Sequence, residues 1–314
     1  MKDPDGKSTL GDRAPEAGRR FNWGEAIITR LIQLSGYSAI VFVGLIFLFL
    51  VRQGAPALFE TPLAELFGTR WYPIEGYFGV LPLLTGSLIV TVGAMAIAVP
   101  LGIGTAMFIS EIAPRWVREI LKPLVELLGG LPSVVLGFLG ILVLSPYLRL
   151  FLDLPTGLTA LAGSILLGGI ALPTIVSIAE DALDAVPRAY RDAALAVGAT
   201  PWQTMWGVTL PAARSGVLTA VLLGMGRAVG ETMAVMMVTG NAPVMPSGLQ
   251  SLFRPVRTMT ATIAAEMGEV ANGSVHYHAL FLIGVTLFLI SLAINLIAAA
   301  VVFRQRTRAE RVLS

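Results

Sequence analysis

Six apolar runs divide the chain, at residues 34–51, 81–109, 124–144, 158–178, 217–238 and 279–303, with polar and charged residues gathered between them. Runs of this length cross the ~30 Å hydrocarbon layer as helices, because a lone segment in lipid satisfies its backbone hydrogen bonds only within itself. The pattern predicts an all-α integral membrane protein with six transmembrane helices. Residues 1–30 mix charge with Pro and Gly and read as a cytoplasmic N-terminal tail. Residues 31–303 form the membrane domain, and 304–314 a cytoplasmic tail whose Arg304, Arg306, Arg308 and Arg311 sit near anionic lipid. The first run begins too late and extends too far for the core of a cleaved signal peptide.

Composition removes the soluble classes: 55% of residues are hydrophobic and 13% charged, with a mean hydropathy of +0.77. The absence of cysteine excludes disulfides, thiolate metal sites and cysteine catalysis. His276 and His278, two apart on a helix, diverge by about 200°, so they are expected at the outer end of the last span as interface residues rather than as metal ligands. There is no GxSxG elbow and no HExxH pair, which argues against a hydrolase. Gly6-Lys7-Ser8 mimics the end of a phosphate-binding loop but lacks its earlier Gly and preceding strand. No cofactor, no metal and no nucleic acid is therefore expected on this chain. With the N-terminus inside, cytoplasmic segments carry sixteen of the 22 Lys and Arg and outer segments five, so both termini are expected in the cytoplasm. Trp71, Tyr72 and Tyr77 fit an aromatic belt at the membrane interface. Gly129, Gly130, Pro132 and Gly137 read as packing and kink positions inside the third span.

The loop at residues 185–214 is built as two short helices. Pro187 suits a first helical position and Gly198 a C-terminal turn. Thr200, with Gln203 three residues on, forms a capping-box pattern before Pro201. Trp202, Met205 and Trp206 make an apolar knob on the second arm, which Pro211 is expected to end. Such a hairpin fits a groove on another protein, or the lipid surface.

The 22nd basic residue, Arg227, lies inside the fifth run with Glu231 one turn later. A lone charge at mid-membrane costs at least ~2.5–3.5 kcal/mol, so each requires compensation. On one continuous helix they are separated by about 6 Å of rise and roughly 40° of rotation and can pair. That pair serves either as a structural register lock or as a polar constriction for an oxyanion, which the Arg fork would grip and Glu231 would temper. Hydrogen phosphate can donate its proton to Glu231, whereas sulfate cannot. Ser133 and Thr232 are further candidate contacts, unless their hydroxyls bond their own backbone. The connector 243–273 contains a helix-compatible stretch at 258–267 that either dips toward the pathway or meets an external protein.

Residue order adds a family. Asp192-Ala193-Ala194, three residues, Gly198, nine residues, Val208, one residue, then Leu210-Pro211 resembles the EAA coupling motif of ABC-importer permeases, with Asp for Glu and Val for Ile. The blocks LPSVVLG (131–137), GRAVGETMAVMMVTGN (226–241), RPVRTMTATIAAEMGE (254–269) and HYHALFLIGVTLFLI (276–290) resemble PstC-type permeases of phosphate-specific ABC importers. The resemblance implies a type I, MetI-like permease architecture in a bacterial or archaeal cytoplasmic membrane. It also implies inorganic phosphate as substrate, with Arg227 and Glu231 on its pathway. Asp192, Ala193, Ala194, Gly198, Trp202, Leu210 and Pro211 would couple to an ABC ATPase dimer that holds ATP and Mg. A second homologous permease and a periplasmic or extracellular phosphate-binding protein complete the implied assembly. Sulfate, molybdate or phosphonate as cargo, and an ion-coupled secondary anion transporter, are the alternatives.

Overall fold

The computed structural model describes residues 23–313, with side chains from 27 to 300; the basic side chains at 304–311 and the tail before Trp23 lie outside the described residues. The chain parts into two compact units between Leu48 and Phe49. Helix α1 (Trp23–Gly54) begins inside the stretch expected as tail. Its 27–46 portion leaves apolar side chains such as Ile40 and Phe42 exposed all round, as suits contact with lipid or another chain.

In the second unit, α2 (Leu81–Met107) runs on through a π-helical turn, Phe108–Ile112. It is followed by α3 (Arg115–Gly129), α4 (Ser133–Phe151), α5 (Ala160–Asp184), α6 (Arg188–Ala196) and α7 (Pro201–Ala212). Helices α8 (Arg214–Gly230), α9 (Met233–Val238), α10 (Met259–Glu266) and α11 (Val275–Leu313) complete the unit. Among the described residues five helices are long and apolar enough to cross a membrane, or six if α7 and α8, bent by 71°, count as one span.

Two expected spans differ from this layout. The third begins at Ser133 instead of 124, because Gly129, Gly130 and Pro132 end one helix and start another; α3 is a separate amphipathic helix. The fifth is broken at Glu231-Thr232, between α8 and α9.

Helix α5 is the hub, packed against α2, α3, α8 and α9. The close approach depends on glycine. A Cβ on Gly102 of α2 would meet Ile175 Cγ2 at 2.7 Å, and one on Gly224 of α8 would meet Ile175 Cγ1 at 2.5 Å, so Ile175 is wedged between two helices that lack side chains there. A short hairpin, β1 (Trp71–Tyr72) with antiparallel β2 (Tyr77–Phe78), packs against α10 and the start of α11. Trp71 is buried there, not in a lipid belt: its Nε1 donates to Glu266 at 3.2 Å and its ring meets His276 edge-on. Tyr72 and Tyr77 are exposed.

Overpacking a core helix crossing costs about 1–3 kcal/mol. Gly224→Val is therefore expected to lower the detergent-solubilised melting temperature by several degrees, while Gly226→Ala, with nothing within 4 Å of its Cβ position, does not lower it. Equal melting temperatures for the two variants would contradict the wedge.

Candidate functional site: a clamped arginine at a broken helix

Glycine is a poor helix former, and Gly224, Gly226 and Gly230 thin the end of α8 until it stops at Gly230. Glu231 then turns extended, with φ −69° and ψ 130°. Its Oε1 accepts from the backbone amides of Thr232 (3.1 Å) and Ala234 (3.2 Å), which the start of α9 leaves free. The expected Arg227–Glu231 ion pair is therefore not formed. Pairing over four residues needs an unbroken helix, and here the carboxylate is drawn to the amides of the next one. The Glu231 carbonyl is met from the other side by the Thr260 hydroxyl, which donates to it at 3.1 Å. The helix expected at 258–267 exists as α10, and Thr260 sets its first turn against the break.

Arg227 finds its acceptors on other helices. Nη1 donates to Thr174 Oγ1 on α5 at 3.1 Å, and Nη2 to the carbonyl of Gly129, the last residue of α3, at 2.9 Å. The positive group thereby meets the negative end of the α3 dipole. Of five guanidinium N–H groups two are engaged, and three have no acceptor among the described residues. The side chain is exposed, and Gly226 and Gly230 beside it face open space. Of the expected hydroxyls, Thr232 donates to the Gly230 carbonyl at 3.3 Å and is spent on its own backbone. Ser133 is the first residue of α4 and is partly exposed. Thr174 carried no sequence signal; only the tertiary fold brings it to Arg227.

The loop after α5 has the local structure its residues dictate. Gly198 takes φ +88°, and the amides of Ala199 and Gly198 close a Schellman turn on Ala194 and Leu195. Thr200 and Gln203 form the reciprocal capping box. Asp192, Ala193, Gly198 and Pro211 are exposed, Ala194 and Leu210 half-buried, and Trp202 and Trp206 project outward edge to face at 5.7 Å. Met205 does not join that knob; it is buried in the core. Nor does Pro211 end the arm. A π-helical turn at Met205–Thr209, with the Leu210 amide bonded to Met205, lets α7 run on to Ala212.

Ion pairs root this loop in the spans. Arg191 donates to Glu111 at 2.7 Å and to the carbonyls of Leu183 (2.9 Å) and Val186 (2.8 Å), tying α6 to the ends of α2 and α5. Asp184 accepts from Ser110 at 2.5 Å and pairs with Arg118 at 3.5 Å. Lys122 of α3 pairs with the buried Glu180 at 2.6 Å and with Asp181 at 3.0 Å. Those bonds, Glu180 first, hold the Lys122 ammonium above the ordinary lysine range. A raised lysine stabilises fully below its unfolded pKa, ~10.4, and loses that contribution as pH rises above it, so Lys122 keeps its charge at physiological pH. At the other end of the unit, His276 pairs with Glu266 and His278 with Glu60, each at 2.8 Å, so the two histidines turn to different carboxylates.

The family described as "Binding-protein-dependent transport system inner membrane component" matches residues 98–308. The probable ABC transporter permease protein YqgH of Bacillus subtilis is 42% identical, covering 85% of this chain and 86% of that one. The phosphate transport system permease protein PstC of Mesorhizobium japonicum is 35% identical, over 91% and 92% respectively. Among solved structures, the inward-facing MetNI methionine ABC transporter aligns with a TM-score of 0.52 at 22% identity, over 74% of this chain and 99% of its own.

Removing one member of a buried pair is costly, whereas replacing both by apolar groups is often neutral. Lys122→Met is expected to lower the melting temperature, and Lys122→Met with Glu180→Leu to restore most of the loss. A double variant as unstable as the sum of both single variants would contradict the pairing.

Proposed function

Because the chain belongs to the family of binding-protein-dependent transport system inner membrane components, with a MetI-type fold, we propose that it is the permease subunit of an ATP-driven importer that passes inorganic phosphate into the cytoplasm. The observation that carries the site assignment is Arg227: a permanent charge at a break in an apolar span, held by Thr174 and Gly129, with three donors uncommitted among the described residues beside open space. A planar fork of this kind matches a tetrahedral oxyanion. The PstC relatives, named as phosphate transport permeases, favour phosphate over sulfate, molybdate or phosphonate.

The chain is a transport subunit of the cytoplasmic membrane. ATP and Mg belong to a separate ATPase dimer, which would seat on the surface around Asp192, Ala193, Ala194, Gly198, Trp202, Leu210 and Pro211. That role rests on the match to the coupling motif and on the outward position of Trp202. An ion-coupled transporter has no use for such a loop. A second homologous permease would complete the pore, a phosphate-binding protein would deliver cargo from outside, and both termini would face the cytoplasm. Within the pore, phosphate takes the free edge of Arg227. Glu231, whose Oε2 is free among the described residues, accepts the proton of hydrogen phosphate and leaves sulfate facing a like charge.

Loss of a charged hydrogen-bond donor pair costs about 1.5–3 kcal/mol per bond. Arg227→Ala is therefore expected to reduce labelled-phosphate uptake about 100-fold or more in proteoliposomes holding equal amounts of assembled complex. Undiminished, phosphate-selective uptake by this variant would remove Arg227 from the pathway.

A further inference from the structure

Hydroxyls on apolar helices often donate to the carbonyl one turn back, and at least six in this chain do so. Thr85 donates to Leu81, Ser164 to Ala160, Thr219 to Ser215, Thr239 to Val235, Thr262 to Thr258 and Thr286 to Leu282, all at 2.7–2.9 Å. Thr174 departs from this pattern. Its Oγ1 receives the Arg227 Nη1 proton at 3.1 Å, and among the described residues its own proton has no acceptor. The residue is partly exposed, on the same side of α5 that Arg227 reaches.

We propose that Thr174 is a second member of the anion grip, donating its hydroxyl proton to the oxyanion that Arg227 holds. An alcohol oxygen has two lone pairs and one proton. By accepting from the guanidinium on one side it is polarised, which strengthens its own O–H as a donor on the other. The bound anion would then be met by a charged fork and by a neutral donor fixed to that fork. The anchoring is rigid, because Thr174 follows Pro173 and sits one position before Ile175, the side chain wedged between α2 and α8. An oxyanion arriving at Arg227 thus finds at the same junction a hydroxyl proton with no acceptor among the described residues, free to rotate toward it. Neither Thr232 nor any of the six hydroxyls above offers this.

This inference rests on the reading of Arg227 as the phosphate contact, and the test separates the two. The complete transporter is reconstituted in proteoliposomes with saturating phosphate-loaded binding protein, and phosphate delivered per ATP hydrolysed is measured. Thr174→Val keeps the shape and removes the hydroxyl. The expected result is a roughly tenfold lower ratio, the scale of one hydrogen bond to a charged group, with Thr174→Ser restored to within about threefold of wild type. Thr174→Ala serves as a second hydroxyl-free variant should Val disturb assembly, and is expected to match Val. A wild-type ratio in the hydroxyl-free variants overturns the assignment. So does a ratio in Thr174→Ser as low as in Thr174→Val, since that would make the residue a packing element. If Arg227→Ala also keeps the wild-type ratio, the pathway reading itself fails; if it loses transport while the Thr174 variants do not, only the role of Thr174 is lost.

Discussion

A guanidinium cannot discard its proton, so an arginine inside an apolar helix must be given oxygen acceptors or water. That constraint organises the centre of this protein. The acceptors given to Arg227 are the Thr174 hydroxyl of α5 and the terminal Gly129 carbonyl of α3. Meeting them requires three helix segments to converge, and each is shaped for it: α3 stops at a pair of glycines, α5 bears Pro173 and Thr174, and α8 thins into Gly226 and Gly230. The break at Glu231 then frees amides that capture its own carboxylate. Arg227 is left with a positive edge toward open space.

Helices α3 and α5 run on from Arg227 toward the loop at 185–214. There Lys122 and Arg118 bind α3 to Glu180, Asp181 and Asp184 of α5, and Arg191 fastens α6 to the ends of α2 and α5. The loop at 185–214 and the acceptors of Arg227 therefore share α5. A displacement of α6 acts on α5 through backbone carbonyls as well as through an ion pair, and α5 holds Thr174 directly. A contiguous set of contacts thus joins the loop at 185–214 to Arg227, polar at both ends, with glycine-permitted close packing around Ile175 between them.

The sequence disclosed features that local interactions decide. The Gly198 turn, the Thr200–Gln203 box and the placing of most spans depend on residues within a few positions of each other, and they appear where the residues dictate. Features decided by distant partners were illegible. Glu231 was expected to answer Arg227 because helical periodicity was extended through a glycine-rich stretch; the amides of α9 won the competition. Leu124 to Leu128 looked like the start of a span, yet they belong to an amphipathic helix closed by Gly129 and Gly130. Trp71 suited a lipid interface by type, but Glu266 offered its indole a partner. Thr174 had no distinguishing context at all, since only folding places it 3.1 Å from Arg227.

The chain's lack of cysteine makes the central claim directly accessible. Single cysteines placed at Gly226 and Gly230, which flank the arginine and face open space, can be challenged in the assembled transporter with a hydrophilic methanethiosulfonate and the adducts on this chain read by mass spectrometry. The account predicts modification at both positions and a slower rate when phosphate is being transported. Thiols that stay unreactive at both positions in every stage of the cycle would place Arg227 in a sealed apolar contact and contradict it.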